Sequence, residues 1–393
     1  MNSVHMTNIA FIHGCFPAGG AERVTIDIAE YLHRTNGDYN VFVYTSYISD
    51  ALLTESIQKL VTIRQVPSNR KLKSKEVEDW IKKDRIDIVV QVATHLHKIE
   101  NIQRRTGCKV VMANHGEPFW QRHSIIYKRQ RTPFKRFLWK LINKTIYVDL
   151  GRALRVAARR SYREYKRCDA YTVLCEKYKQ QTEKMFGIKA DKSHIYAIEN
   201  AERPVKDVSF NKENVILFCG RLDSWSKRVD RLLRIWKQAQ DQLPEWQLVI
   251  VGDGPERNNL EAQAKNDSLQ RVSFEGSKSN VESYYRRASI VCLTSETEGW
   301  PLAMTEAQAH GCIPIAFNCT AGVEDILGPD GENGFLVTPY NEDEYAEKLI
   351  KVAKMSDDTK MVIRKNAVVK RLRYTPDIIS AKWKALFDTI AKA

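Results

Sequence analysis

Short apolar runs alternate with amphipathic stretches along most of the chain. Runs such as Asn8–His13 and Gln247–Val251 are typical of buried strands, whereas Ala21–Arg34 repeats apolar residues at helical spacing. Alternation of this kind predicts an α/β fold, with helices on both faces of parallel sheets.

The same pattern predicts further elements on both sides of a polar stretch. Additional strands are expected at Val41–Tyr44, Val61–Val66, Ile86–Val92, Lys109–Ala113, Ala170–Leu174, His194–Ile198, Val215–Cys219, Arg271–Phe274, Ala288–Thr294 and Ile313–Phe317. Additional helices are expected at Lys75–Lys83, Lys98–Arg105, Arg228–Ala239, Glu256–Ala264, Val281–Arg287 and Ile378–Ile390, and from Glu176.

A chain of 393 residues is long enough for two domains. The polar stretch Glu202–Asn214 contains Pro204 and several charges, and we interpret it as the linker. We therefore expect a first parallel-sheet domain over residues 1–203, a second over 204–375, and a C-terminal helix over 376–393 that packs back on the first. Two sheets joined in this way leave a cleft between them.

The composition favours a cytoplasmic protein. The sequence contains no apolar run of 18 residues, and its first residues lack the basic start and apolar core of a signal peptide. The eight cysteines form no Cys-x-x-Cys pair, so we expect free thiols in a reducing compartment.

The net charge of +14 is concentrated in one segment. Between Arg122 and Arg167, fifteen Lys and Arg residues face only Asp149 and Glu164. Such a surplus predicts a surface for an anionic partner, which could be phospholipid, a pyrophosphate-linked acceptor or nucleic acid.

Two carboxylates, Glu298 and Glu306, flank a turn that follows the apolar run Ala288–Thr294. Pro301 suits the first turn of a helix, and Gly311 suits its end. In open α/β sheets the ligand crevice lies at the carboxyl ends of strands. Free amides at a helix start can hold phosphate, and carboxylates can accept hydrogen bonds from sugar hydroxyls. This combination suits a sugar nucleotide, although two solvated carboxylates at a helix N-terminus remain an alternative.

Five motifs in order carry a resemblance that covers nearly the whole chain. They are Gly19-Gly20-Ala21-Glu22-Arg23, Gly220-Arg221-Leu222 with Lys227, Val251-Gly252-Asp253-Gly254-Pro255, the Glu298/Glu306 pair, and Gly331-Glu332-Asn333-Gly334-Phe335-Leu336-Val337. In these motifs the chain resembles glycosyltransferase family 4. That resemblance implies a retaining enzyme of the GT-B architecture, in which two Rossmann-like, doubly wound parallel-sheet domains face each other across a cleft.

The resemblance also implies site residues in the second domain. Glu298 would face the hydroxyls of the donor sugar as a catalytic residue, and Glu306 would bind the ribose of the nucleotide. Arg221 and Lys227 would bind the donor diphosphate, although Arg228 beside Lys227 leaves a small ambiguity. The backbone of the donor loop comprises Gly299, Trp300, Pro301 and Leu302.

In the first domain, Gly19 and Gly20 would approach the donor phosphates, and His115 would reach the donor sugar as a second catalytic residue. A plain turn and a structural histidine are the alternatives. His95 and His97 are weaker candidates. The sequence lacks an Asp-x-Asp motif, so we expect no metal and no cofactor, with Arg221 and Lys227 neutralising the leaving diphosphate.

The basic segment over residues 119–168 interleaves cations with aromatic residues, as an interfacial helix would. The candidates for membrane or acceptor binding are Arg129, Arg131, Lys135, Arg136, Trp139 and Lys140. We expect this segment to dock the enzyme peripherally on the cytoplasmic face of the inner membrane. A solvated cationic helix over the first domain is the alternative.

We therefore expect a hexosyltransferase that moves a hexose or N-acetylhexosamine from a nucleotide sugar, with UDP the commonest nucleotide in the family, to a lipid-linked or glycan acceptor in surface polysaccharide synthesis. A nucleotide-sugar epimerase of the same fold is the closer rival. A nucleic-acid-binding protein would explain the basic segment but not the glutamate pair or the glycine loops, so we expect no nucleic-acid partner.

Overall fold

The computed structural model describes residues 6–17, 20–35, 38–66, 71–92, 99–122 and 151–392. The chain divides into two compact units. Unit 1 comprises Met1–Glu199 together with Ile379–Ala393, and unit 2 comprises Asn200–Ile378.

Unit 1 contains a parallel sheet with strands in the order β3-β2-β1-β4-β5-β6-β7. Its strands are β1 (Thr7–Phe16), β2 (Tyr39–Ile48), β3 (Thr62–Gln65), β4 (Ile88–Val92), β5 (Lys109–Ala113), β6 (Ala170–Val173) and β7 (Ile195–Ala197). Its helices before the second unit are α1 (Gly20–Thr35), α2 (Glu55–Leu60), α3 (Ser74–Asp84), α4 (Ile99–Thr106), α5 (Arg152–Tyr165) and α6 (Glu176–Phe186). The predicted parallel α/β architecture is confirmed for this unit.

The central position of β1 explains its composition. Ile9, Ala10, Phe11 and Ile12 are all buried, since β1 pairs with β2 and with β4. A strand buried on both faces reads as a continuous apolar run rather than an alternating one. The strand continues beyond its predicted end at His13, through Gly14 to Phe16.

Unit 2 contains a second parallel sheet, in the order β10-β9-β8-β11-β12-β13. Its strands are β8 (Glu213–Cys219), β9 (Gln247–Val251), β10 (Val272–Gly276), β11 (Ala288–Leu293), β12 (Ile313–Phe317) and β13 (Phe335–Val337). Its helices are α7 (Val229–Ala239), α8 (Arg257–Asn266), α9 (Glu282–Arg287), α10 (Leu302–Ala309), α11 (Ala321–Leu327), α12 (Glu342–Ala353) and α13 (Asp357–Arg371). The strand order reverses between β8 and β11, which makes the gap between them the topological switch point.

A last helix, α14 (Pro376–Lys392), joins unit 1 from Ile379 onward. Phe387 packs edge-on against Phe11, with ring centroids 6.3 Å apart. The Tyr39 hydroxyl donates a hydrogen bond to Asp388. These contacts fix the C-terminal helix against the first two strands of unit 1.

The stretch Glu202–Asn214, interpreted as the linker, lies within unit 2 and combines exposed residues with residues held by contacts. Glu202 is buried, and its carboxylate accepts a hydrogen bond of 3.1 Å from the Thr305 hydroxyl. Val208 and Phe210 lie so close to Gly311 that a Cβ there would approach both within 3.1 Å. Glu202, Lys212 and Glu213 find partners within unit 2, which composition alone could not reveal.

All eight cysteines are free thiols, as predicted. No described helix is both long enough and apolar enough to span a membrane. The six candidates for membrane or acceptor binding, from Arg129 to Lys140, lie outside the described residues, and so do His95 and His97.

Candidate active site

The loops that follow β8 and β11 meet at the switch point of unit 2. Lys227, from the loop after β8, donates a hydrogen bond of 2.6 Å from Nζ to Oε1 of Glu298, which lies in the loop after β11. The same Oε1 accepts a 2.6 Å hydrogen bond from the Ser295 hydroxyl. The lysine and the first glutamate predicted for one site are therefore direct neighbours.

A short turn presents Lys227. Oδ1 of the buried Asp223 accepts hydrogen bonds from the backbone N–H groups of Ser226, at 2.7 Å, and of Lys227, at 2.9 Å. The next residue, Arg228, has a left-handed backbone with φ of 48°. A carboxylate that closes a turn on following amides fixes the backbone locally, so Lys227 starts from a defined position.

The ion pair dominates the charge state of the lysine. Burial alone would lower the pKa of Lys227, but the charge of Glu298 and its hydrogen bond raise that pKa above the ordinary value. Only 23% of the Lys227 side chain and 9% of the Glu298 side chain are exposed. A charged lysine therefore lies at the switch point with part of its side chain exposed.

Glu306 belongs to the half-buried face of α10. Its Oε2 accepts a hydrogen bond of 2.8 Å from the hydroxyl of Tyr285, on α9. Burial, together with the charge of Glu306, raises the pKa of Tyr285 well above its ordinary value. The tyrosine thus remains a hydrogen-bond donor that holds one carboxylate oxygen in place.

Cys219, at the end of β8, lies within electrostatic reach of both Glu306 and Lys227. Burial raises the pKa of this thiol to about 11; a hydrogen bond with Tyr285 and the charge of Lys227 lower it, while the charge of Glu306 raises it. A Cβ on the neighbouring Gly220 would lie 3.9 Å from Cε of Lys227. Lys227 and Glu306 therefore share the carboxyl edge of the same strand.

Two glycines allow close backbone packing against the loop that carries Arg221. A Cβ on Gly252 would lie 1.9 Å from the carbonyl oxygen of Gly220, and one on Gly254 would lie 2.2 Å from that of Leu222. The N–H of Leu222 donates a hydrogen bond of 3.0 Å to the carbonyl of Asp253. Glycine is required for this close approach of backbones, and it leaves the Arg221 side chain exposed at the edge of the sheet.

The motif that supplies these glycines leads into α8. The Glu256 side chain does not cap the backbone of the first turn, but it accepts a 2.9 Å hydrogen bond from the Asn259 side chain in that turn. Asp253 accepts a 2.7 Å hydrogen bond from the adjacent N–H of Gly254. Its role is to shape the loop before the helix.

The donor loop leads directly into α10. Trp300 is buried and packs edge-on against Tyr374, with centroids 5.0 Å apart. Pro301 immediately precedes the first helical residue, Leu302, as its proline chemistry suggests. After Gly299, the chain therefore brings the start of α10 close in sequence to Glu298, and the N–H of Met304 in its first turn donates to the Pro301 carbonyl at 2.9 Å.

The candidates of unit 1 lie at the carboxyl edge of its own sheet. His115 follows β5 and is half-buried, and the next N–H, of Gly116, donates to the Asn114 side chain at 3.2 Å. Gly20 is the first residue of α1, whereas Gly19 lies outside the described residues.

Sequence reasoning missed several residues that shape these sites. Tyr285 gave no signal, because a tyrosine on a different helix has no fixed spacing from Glu306. Asp223 could have been found as an Asp a few residues before a functional lysine, in a turn-forming stretch. In unit 1, the buried His13 contacts Glu22 Oε1 at 3.2 Å and Thr25 Oγ1 at 2.9 Å, and so fixes the start of α1.

The described residues contain no group of three or more His, Cys, Asp or Glu side chains arranged to hold a metal ion. Metal independence stays a prediction. The basic side chains at the switch point have the charge that a leaving diphosphate requires.

Comparison with known proteins places this geometry in a family. The family model described as Glycosyltransferase Family 4 matches residues 18–197, and the model described as Glycosyl transferases group 1 matches residues 200–368. An uncharacterised glycosyltransferase of Haemophilus influenzae is 28% identical over 346 residues, which are 86% of this chain and 88% of the relative.

Two further proteins are similar over different extents. A Campylobacter jejuni α-1,4-N-acetyl-D-galactosaminyltransferase, named for an acceptor built on PP-undecaprenol, is 29% identical over 58% of this chain and 62% of its own length. The Anabaena protein HepE, solved with UDP and glucose, superposes with a TM-score of 0.71 over 98% of this chain and 100% of its own, at 17% identity. The two matching models together account for nearly the whole sequence, and the chain belongs to the family 4 glycosyltransferases, enzymes of the GT-B fold.

Proposed function

We propose that this glycosyltransferase is a retaining hexosyltransferase that uses a UDP-linked donor. It transfers a hexose or an N-acetylhexosamine to a lipid-linked or glycan acceptor during synthesis of a surface polysaccharide. The observation that carries the proposal is the arrangement at the switch point of unit 2, where the Lys227–Glu298 pair and Glu306 share one sheet edge.

Each group has a chemical task in this proposal. Glu306 accepts hydrogen bonds from the two ribose hydroxyls, for which an ionised carboxylate is suited because it is acceptor-only. Lys227 has three N–H donors, and Glu298 takes one of them. The others are available for the diphosphate, whose negative charge grows as the bond to the sugar breaks.

Glu298 positions the donor sugar through its hydroxyls. The acceptor oxygen bonds to the anomeric carbon on the face from which the diphosphate departs, and the acceptor proton passes to the departing diphosphate. The new bond then has the configuration of the old one. His115, in unit 1, stays a prediction from the family resemblance.

The comparisons support the choice of substrates by analogy. The name of the Campylobacter relative specifies a diphospho-undecaprenol acceptor. The Anabaena protein was solved with UDP and glucose. A lipid-linked acceptor would also give a role to the basic segment of unit 1.

Helix α5 lies in the part of the basic segment that the structure describes. It buries Ala153, Ala157 and Ala158 and exposes Arg159 and Arg163. This is the pattern of a cationic helix packed on its own unit, and the exposed charges suit an anionic bilayer, where each contributes about 1 kcal/mol. Flotation with anionic liposomes at low salt tests membrane docking: recovery with the vesicles is expected, and recovery only in the soluble fraction would contradict it.

A donor screen tests the proposed function. Thermal shifts are measured with a panel of UDP- and GDP-sugars on the wild type, on Glu306→Ala, and on Glu347→Ala, which alters an exposed glutamate of α12. We expect one nucleotide class to stabilise the wild type and Glu347→Ala but not Glu306→Ala. Equal shifts in all three proteins would show that Glu306 does not bind the ribose. Epimerisation of a free UDP-sugar without acceptor would show that the protein is an epimerase and not a transferase.

A further inference from the structure

Lys212 is a half-buried cation that the proposed chemistry does not use. Its Nζ donates to the backbone carbonyls of Tyr285 at 3.0 Å, of Arg286 at 3.0 Å and of His310 at 2.7 Å. An ammonium group has three donors, and these three carbonyls satisfy all of them. The nitrogen also lies 3.8 Å from the sulfur of Cys312.

The three carbonyls belong to the ends of two helices. Tyr285 and Arg286 lie in the last turn of α9, and His310 directly follows α10. The last carbonyls of a helix lack intrahelical partners and carry partial negative charge, so a cation there is favourable. One lysine therefore holds together the C-terminal ends of both helices.

These two helices carry Glu306, the proposed ribose-binding residue on α10, and Tyr285, its hydrogen-bond donor on α9. Tyr285 OH donates to Glu306 at 2.8 Å, and Nδ1 of His310 contacts the Glu306 carbonyl at 2.9 Å. The rings of Tyr285 and His310 stack with centroids 5.3 Å apart. Starting at Lys212, contacts run through Tyr285, Glu306 and His310 and return to Lys212.

We propose that Lys212 is a positioning residue for nucleotide binding, which sets the Glu306 carboxylate by holding the carbonyl ends of α9 and α10 in a fixed relation. The inference rests on the proposed role of Glu306. It adds a residue that lies before β8, outside the five motifs, within the stretch first interpreted as a linker.

The cost of keeping Lys212 charged is consistent with a specific role. Partial burial lowers the pKa of Lys212, and the charges of Arg364 and Arg286 also lower it, whereas Cys312 raises it. The half-buried amine is retained against that penalty because its three hydrogen bonds depend on the ammonium form.

The chain offers a matched control for removing this lysine. Lys370 also donates to a carbonyl that follows a helix, that of Gly328 at the end of α11, and its pKa is likewise lowered by burial. Lys370 contacts neither α9 nor α10 through that bond. Lys212→Met and Lys370→Met therefore remove the same kind of interaction, and only the first removes it from the ribose-binding helices.

The test is calorimetric titration of UDP and GDP into the wild type, Lys212→Met, Lys370→Met and Glu306→Gln, with thermal unfolding measured in parallel. Both methionine variants are expected to lose thermal stability. Only Lys212→Met should bind the nucleotide more weakly, by roughly tenfold. Combined with Tyr285→Phe, it should weaken binding by less than the product of the two single effects, since both act on Glu306.

The outcomes distinguish failure of the positioning role of Lys212 from failure of the proposed ribose site. If the wild type binds UDP, Glu306→Gln weakens that binding, and Lys212→Met binds as Lys370→Met does, the positioning role alone is overturned. If Glu306→Gln binds UDP like the wild type, the proposed ribose site is overturned and this inference with it. Should Lys212→Met fail to fold, the same comparison is made with Lys212→Gln and Lys370→Gln, which retain an amide donor.

Discussion

Replacing Lys227 by methionine should destabilise unit 2 as well as abolish transfer. Methionine keeps the aliphatic stem but leaves the carboxylate of Glu298, which is only 9% exposed, without its cation. Removing one partner of a fully buried ion pair costs about 3–5 kcal/mol, whereas exposed pairs contribute about 0–1 kcal/mol. Because Lys227 is 23% exposed, we expect a loss of about 2–4 kcal/mol in the free energy of unfolding.

A second substitution identifies the cause of that loss. Glu298→Gln removes the negative charge, so the double variant should lose less stability than the sum of the two single variants, by at least about 1 kcal/mol. Urea titrations followed by tryptophan fluorescence and circular dichroism measure the three values. Lys237→Met is the matched control, because Lys237 pairs with Asp267 at 2.8 Å on the surface of the same unit, with 52% and 27% of the side chains exposed.

The control variant should lose no more than about 1 kcal/mol and retain full transferase activity. If Lys227→Met loses as little stability as Lys237→Met, the pair at the switch point behaves as a solvated surface pair. Strict additivity in the double variant would likewise refute the direct coupling of Lys227 to Glu298.

Three further predictions concern neighbouring residues. Tyr285→Phe removes a donor to Glu306 and should raise the KM for the nucleotide sugar about five- to tenfold with little change in kcat, as measured by initial rates; an unchanged KM would contradict the role of the tyrosine. Burial lowers the pKa of His310 below its ordinary 6.5, and Lys212 lowers it further, against the opposing contributions of Glu306 and Glu282. Because the unfolded state binds more protons than the folded state below about pH 6.5, the free energy of unfolding should fall as the pH falls through that value. The fall should be smaller in His310→Asn. Thermal unfolding measured against pH checks this, and parallel profiles of the two proteins would contradict it. Gly252→Ala should lower the free energy of unfolding in urea by at least about 3 kcal/mol, because the added carbon would clash with the Gly220 carbonyl. Gly187→Ala, with nothing within 4 Å of the added carbon, should lower it by about 1–2 kcal/mol. Equal losses would contradict the close packing of this loop.

The parts of the fold that depend on local pattern were predictable from the sequence. The apolar run before Glu298 forms β11, and Pro301 and Gly311 bracket α10 as their backbone preferences suggest. The two carboxylates could be singled out because their chemistry and their position after a buried strand coincide. The roles assigned to them remain proposals.

The supporting contacts could not be predicted, because they join elements that are distant along the chain. Tyr285 reaches Glu306 only after α9 and α10 have packed beside each other. Lys212 and Glu202 lie in a polar stretch whose composition indicates a solvated linker, yet both are held by hydrogen bonds within unit 2. A buried polar group with partners has the same sequence signature as an exposed one.

The central claim is that Lys227 and Glu306 hold different parts of one nucleotide. Calorimetry with UDP, uridine and 2′,3′-dideoxy-UDP tests it on the wild type, Lys227→Met and Glu306→Gln. The lysine variant should lose most of the preference for UDP over uridine, and the glutamate variant should lose most of the preference for UDP over its dideoxy analogue. Wild-type preferences in both variants would show that neither side chain touches the nucleotide.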